Sequence, residues 1–218
     1  MLGAYRSTIG ALLNPLACAI DKNDQIYIAE SARHRIAVFS TSGKLIRTFG
    51  RKGSGDGELH FPAGLALGAN GEVYVSDSGN HRICVFDRNG KFHRSWGGYG
   101  SVAGKMIRPA GLAVVGERVF VADTGNDRVQ VFDLHGGEKR VIGGWGFKPG
   151  LFRRPVGVAI DNENRMYVLD RDNNRVSVPL MQTAEIRVYG VNGGRFPECS
   201  AARWGCACTE IYCISPTP

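Results

Sequence analysis

One pattern occurs four times along these 218 residues, and that repetition limits the possible folds more than any other property of the chain. Pro15–Phe39, Pro62–Phe86, Pro109–Phe132 and Pro155–Val178 each start at a proline and enter an apolar run. Each then passes an aromatic residue, an acid and an arginine before a second apolar run. The prolines lie 47, 47 and 46 residues apart. Tyr27, Tyr74, Phe120 and Tyr167 mark one strand, and Glu30, Asp77, Asp123 and Asp170 end it. Arg35, Arg82, Arg128 and Arg175 each follow that acid by five residues. Self-similarity at a period of roughly 20–50 residues is the signature of a repeat architecture.

The repeating unit is built of strands. In the second copy, Gly64–Leu67, Val73–Val75, Arg82–Phe86 and Lys91–Trp96 are short runs rich in β-formers. Turn residues separate them: Ala69-Asn70-Gly71, Ser78-Gly79-Asn80 and Asp87-Arg88-Asn89-Gly90. No segment carries a helical period. Four strands in a copy of about 45 residues predict an all-β chain, a β-propeller of four-stranded blades. A single blade cannot bury both faces, so blades must stack on one another.

Asp77-Ser78-Gly79-Asn80-His81-Arg82-Ile83-Cys84-Val85-Phe86 is close to the motif that names the NHL-repeat family. Arg33-His34-Arg35-Ile36, Asn126-Asp127-Arg128-Val129 and Asn173-Asn174-Arg175-Val176 are variants of it. Arg47-Thr48-Phe49-Gly50 and Arg94-Ser95-Trp96-Gly97 match the ends of the family's blades. Over roughly residues 10–178 the chain resembles that family, and no Trp-Asp dipeptide closes a strand as in a WD-repeat propeller. The expected division is residues 1–14 as the end of a preceding blade, then 15–61, 62–108 and 109–154 as the first three repeats. Residues 155–176 form a partial fourth repeat and 177–218 an aberrant tail. The resemblance implies a ring that usually needs more blades than four. The ring is therefore expected to be incomplete, with open edges, and the chain a fragment of a larger protein.

The tail departs from the template at Ser177-Val178-Pro179-Leu180-Met181-Gln182 and holds Cys199, Cys206, Cys208 and Cys213 without periodicity. Joining the last base of each codon to the first two of the next changes the reading. Met181–Ala184 can then encode Ala-Asp-Gly-Gly, Val188–Val191 permits apolar-Trp-Gly, and Ala202–Cys208 permits a blade-entry Pro-x-Gly-Val. The expectation is that residues from about Ser177 onward are a further blade read out of frame; the alternative is a diverged C-terminal segment. Formal net charge is +7, and residues 177–218 contribute none of it, with Arg187, Arg195 and Arg203 balancing Glu185, Glu198 and Glu210. No apolar stretch is long enough to span a membrane, and Met1 leads into Tyr5-Arg6-Ser7-Thr8 rather than a signal core. A cytoplasmic, reducing location is expected, with Cys18 and Cys84 as small buried apolar residues.

A group present in every blade serves the blade. The repeated acids and arginines, Glu30 with Arg35, Asp77 with Arg82, Asp123 with Arg128 and Asp170 with Arg175, are therefore read as structural charge-assisted pairs. No histidine breaks the repeat symmetry beside a partner, so no catalytic residue is assigned. His34 and His81 share one repeat position but lack a third ligand, so no metal and no cofactor are expected. Gly50–Gly55 looks like a phosphate loop, but no helix follows it.

The basic loops carry the functional signal. In a propeller, the loops between blades and those between second and third strands share one face. They bring Arg51, Lys52, Lys105, Arg108, Lys148, Arg153 and Arg154 together with His81, Tyr99, Trp145 and Phe147. Cations interleaved with aromatic rings suit RNA or an acidic protein partner; the competing reading is a solvated rim that only confers solubility. The resemblance favours a non-catalytic recognition module. Propellers similar to this one end RING, B-box and coiled-coil ubiquitin ligases (the TRIM-NHL proteins), where they bind RNA or protein substrates alongside other domains of the parent chain. Two alternatives stay open: an enzyme resembling peptidylglycine amidating lyase, and a bacterial kinase's propeller sensor domain.

Overall fold

The computed structural model describes residues 11–137, 139–179 and 186–189. These form four antiparallel sheets of four strands, each ordered as in the chain. Blade 1 holds β1 (Pro15–Ile20), β2 (Ile26–Glu30), β3 (Arg35–Phe39) and β4 (Leu45–Phe49). Blade 2 holds β5 (Pro62–Leu67), β6 (Val73–Asp77), β7 (Arg82–Phe86) and β8 (Phe92–Gly97). Blade 3 holds β9 (Pro109–Val115), β10 (Arg118–Asp123), β11 (Arg128–Asp133) and β12 (Lys139–Gly143). Blade 4 holds β13 (Pro155–Ile160), β14 (Met166–Asp170), β15 (Arg175–Pro179) and β16 (Ile186–Tyr189). The all-β propeller read from the repeat is what the structure shows.

The burial patterns explain why the middle strands read as unbroken apolar runs. Every residue of β6 is buried, because β6 is flanked in its own sheet and covered by a blade on each face. The outer strand β8 alternates between half-buried and exposed positions, as a strand facing solvent on one side should. Among the described residues the core is three inter-blade layers and a smaller cluster in blade 1, where Ile28, Ala37 and Phe39 pack with Leu12 and Ile26. Tyr27, Ile36, Val38 and Phe49 of blade 1 meet Val73, Val75 and Phe86 of blade 2. Tyr74, Ile83 and Val85 meet Val119, Val121 and Phe132. Phe120, Val129 and Val131 meet Met166 and Val168.

The inner strands pack in series, β1 on β5, β5 on β9 and β9 on β13. Glycine permits two of these approaches, Gly64 against the Ala110 carbonyl of β9 and Gly111 against β13. A Cβ on Gly111 would stand 2.7 Å from both the Gly157 Cα and the Val156 carbonyl oxygen. Cys18 corrects one expectation: it is exposed on β1. Its counterparts Leu65, Leu112 and Val158 face a preceding blade, and no blade precedes β1 among the described residues.

The fourth blade runs past the point where the repeat falters. Ser177, Val178 and Pro179 extend β15, and Ile186–Tyr189 pair with it as an outer strand. Residues 190–218, where most of the out-of-frame expectation falls, lie outside the described residues. Gly111→Ala should lower unfolding stability by about 1–3 kcal/mol, the usual cost of forcing backbone apart in a packed core. Chemical denaturation of the variant against wild type checks this.

Candidate functional site, a basic loop face

Each acid that ends a second strand is fully buried and surrounded by donors. Asp77 Oδ2 accepts from Arg82 Nε at 2.8 Å and from Asn80 Nδ2 at 2.8 Å, while Oδ1 accepts from the His60 amide at 2.6 Å. Asp123 repeats this with Arg128 at 2.7 Å, Asn126 and the Ile107 amide at 2.8 Å, and gains the Gln130 amide group. Asp170 repeats it with Arg175 at 2.7 Å, Asn173 at 2.8 Å and the Arg153 amide at 2.7 Å. In blade 1 the longer Glu30 takes Arg35 at 2.6 Å, and Arg33 stands in for the asparagine. Burial alone would raise the Glu30 carboxyl, but the bonds from Arg35 and Arg33 outweigh it and hold it below its ordinary value.

The arginine then organises the loop that enters its blade. With Nε on the acid, the Arg82 fork donates to the carbonyls of Ser54, Gly55 and Glu58. Arg128 holds those of Ser101, Val102 and Lys105, and Arg175 those of Phe147, Lys148 and Leu151. Leu59, Met106 and Phe152 plug the same three loops into the core, each fully buried. A planar guanidinium with five fixed donors suits this task; lysine could not span one carboxylate and three carbonyls.

A second contact joins neighbouring blades. The 3-10 turn after each second strand ends on a left-handed residue: His34, His81, Asp127 or Asn174. His34 Nδ1 accepts from the Phe61 amide at 3.0 Å, His81 Nδ1 from the Arg108 amide at 3.0 Å, and Asp127 Oδ1 from the Arg154 amide at 2.7 Å. The three amides belong to residues with φ of 50°, 49° and 49°, immediately before the prolines that start blades 2, 3 and 4.

These loops carry the sequence-predicted residues. Arg51, Lys52, Lys105, Arg108, Lys148 and Arg154 are exposed, and Arg153 and His81 are half-buried. Tyr99, Trp145 and Phe147 are 73%, 66% and 61% exposed, which a core role does not explain. Trp145 and Phe147 meet edge to face at 5.8 Å, and Arg153 lies over the Phe147 ring at 4.7 Å. Tyr99 stands edge-on to His81 at 5.2 Å. Some charges are already engaged: Arg51 pairs with Glu58 at 3.0 Å and Lys105 Nζ donates to the Gly97 carbonyl at 2.8 Å. The loops 98–108 and 144–154 contain no acid. Phe61, 47% exposed beside His34 and His60, belongs to the same face and was missed by reading cations first. Its place in the column with Arg108 and Arg154 was the available signal.

Both oxygens of each repeated aspartate are occupied by donors, which leaves no lone pair aimed at solvent. Burial pushes the Cys84 thiol up to about 12, so it is a core side chain and not a nucleophile. Among the described residues, no three His, Cys, Asp or Glu side chains converge as a metal site requires. A cleft of about 380 Å³ opens beside the knot of Asp77, Arg82 and the loop entering blade 2, lined by Ser54, Asn80, Arg82, Ser95, Trp96, Gly97 and Gly98.

The NHL repeat model matches residues 59–86, 106–132 and 152–178, each a loop end with the first three strands of a blade. This is an NHL-repeat propeller. The NHL matches span the aspartate, the arginine and the left-handed turn of blades 2, 3 and 4. No curated protein sequence matches the chain. Among solved structures it is similar to a streptogramin B lyase, at 16% identity and a TM-score of 0.62, covering 82% of this chain and 55% of that one. It is also similar to a chain of a nidogen/laminin complex, at 19% identity and a TM-score of 0.67, covering 82% and 64%. Hydrazine synthase of Kuenenia stuttgartiensis matches at 16% identity and a TM-score of 0.62, covering 86% and 53%. At these identities the likeness shows the fold alone, and the NHL chain spans about half to two thirds of those structures' length.

Arg82→Ala should cost on the order of 1–3 kcal/mol, because buried Asp77 loses its charged donor and three carbonyls lose theirs. Arg51→Ala, which breaks only an exposed pair with Glu58, should change stability by about 1 kcal/mol or less. Thermal unfolding of both variants side by side tests the contrast.

Proposed function

We propose that this NHL propeller is a non-catalytic recognition module that binds single-stranded RNA across its basic loop face. The observation that carries the reading is that Tyr99, Trp145 and Phe147 are held out into solvent on the same two acid-free loops that carry Lys105, Arg108, Lys148, Arg153 and Arg154. Exposed rings supply stacking surfaces for bases, and the cations follow the phosphates. The arginine knots hold these loops before any ligand arrives, which reduces the ordering cost of binding. Fold alone does not choose between binding and catalysis, since an enzyme and a protein complex both appear among the similar structures. The acids of the repeat favour binding, because each is spent on its own blade.

In this reading the module serves a longer cytoplasmic protein of the RING-type ligase kind, delivering an RNA or an RNA-bound partner to domains elsewhere in that chain. An acidic protein ligand is the alternative that the same face would serve, and the test separates the two.

Fluorescence anisotropy with a labelled single-stranded oligonucleotide of mixed sequence, at several salt concentrations, is the direct measurement. Arg154→Glu and Lys148→Glu should each weaken binding while leaving Tm unchanged. Trp145→Ala should cost about 1–3 kcal/mol of binding free energy. The logarithm of affinity should fall linearly with the logarithm of salt, with a slope of about −0.7 per phosphate neutralised. Absence of binding to RNA with retention of an acidic polypeptide would transfer the face to a protein ligand. Unchanged RNA affinity in both charge reversals would reduce it to a solubility feature.

A further inference from the structure

The left-handed position that ends each 3-10 turn is occupied by two histidines, one aspartate and one asparagine, and the difference has a chemical consequence. A backbone N–H can only donate. At 3.0 Å from the Phe61 and Arg108 amides, the Nδ1 atoms of His34 and His81 must therefore be the unprotonated ring nitrogens. Each ring then carries its proton on Nε2 and is neutral. An imidazolium has two donors and no acceptor, so protonation abolishes the bond. Asp127, which holds the Arg154 amide at 2.7 Å, keeps an acceptor oxygen in either protonation state.

We propose that His34 and His81 are acid-sensitive latches between blades 1 and 2 and between blades 2 and 3, whereas Asp127 makes the junction of blades 3 and 4 insensitive to acid. The latches also position the binding face. Phe61 and Arg108 are exposed side chains on a left-handed backbone that favours neither residue type, and an imidazole accepts the amide of each. Loss of the latch frees both to turn away.

The surroundings set the direction. His34 stacks on His60 at 5.3 Å and touches the Phe61 ring; Lys52 is the nearby cation and Asp77 the opposing acid. His81 faces Tyr99 and Arg108, with Asp77 and Asp123 opposing. Burial is the first influence on both rings, and the neighbouring cationic groups act in the same direction; together they outweigh the acids and lower both histidines from their ordinary value. A folded-state pKa below the unfolded one means that the unfolded chain takes up protons first. The latch contribution is thus complete above the ordinary imidazole value of about 6.5 and is lost as pH falls below it.

The test is a pH titration of the isotopically labelled full chain by NMR, from pH 8 to 5. The amide resonances of Phe61 and Arg108 should move with the ring signals of His34 and His81, while the Arg154 amide stays in place over the same range. As pH falls through the ring pKa, the ratio of unlatched to latched molecules should rise about tenfold per pH unit at each site. A His34→Asn, His81→Asn double variant supplies the control, because asparagine holds the same left-handed turn position at Asn174 with φ of 50° and keeps a non-titrating acceptor. It should fold at neutral pH and lose less Tm on acidification than wild type. Phe61 and Arg108 amides that stay fixed while the rings titrate would overturn the proposal. So would a double variant whose acid-induced loss of Tm equals that of wild type.

Discussion

A carboxylate removed from water is tolerated only when nearly every lone pair meets a donor and a compensating charge stands beside it. This chain places one such group at the same point of every blade. Glu30, Asp77, Asp123 and Asp170 are each fully buried and each bound to the arginine five residues on. The remaining structure of the loop face follows from that requirement. The oxygen left over by the arginine and the asparagine must accept from a backbone amide, and the nearest one lies in the segment entering the same blade. The arginine, fixed by its Nε, has two further nitrogens to satisfy, and the carbonyls of that segment are what it reaches. A loop of some ten residues is thereby closed at both ends without a disulfide or a metal.

This arrangement separates the two uses of charge on one face. The repeat arginines are consumed in the knot and give the loops their shape. The loop cations, by contrast, vary from blade to blade and sit outside the knots, together with rings that no packing requirement keeps outside. Lys52, Tyr99 and Trp145 occupy one repeat column, each bridged to a core plug at Leu59, Met106 or Phe152. Phe61, Arg108 and Arg154 occupy another. Invariant positions inside and variable positions outside are what a scaffold with an adaptable binding surface requires.

The fold was legible because its governing features are periodic. Proline spacing, the aromatic position of the second strand and the acid-to-arginine interval each recur, and any one copy would have been ambiguous alone. Pairing of Asp77 with Arg82 could be foreseen from charge and repetition. The three carbonyls under the Arg82 fork could not, since backbone acceptors leave no mark in a sequence. The latch was hidden for a different reason. His34, His81, Asp127 and Asn174 differ in charge and size, and sequence reasoning considered the histidines as metal ligands or RNA contacts. What they share is a side-chain acceptor and residence in the left-handed region, a property of the column and not of any one residue. The exposure of Cys18 was concealed too, because it depends on which blades are neighbours and not on the strand that carries it.

The central claim is that buried carboxylate and arginine act as one unit that holds the entering loop. A double-mutant cycle on Asp123→Ala and Arg128→Ala, read by denaturant unfolding, measures that coupling directly. The account predicts that each single variant is strongly destabilised and that the pair together loses much less than the sum, with an interaction free energy of about 0.5–3 kcal/mol. Strictly additive losses would mean that Asp123 and Arg128 support the loop independently, and the knot would no longer explain the shape of the face.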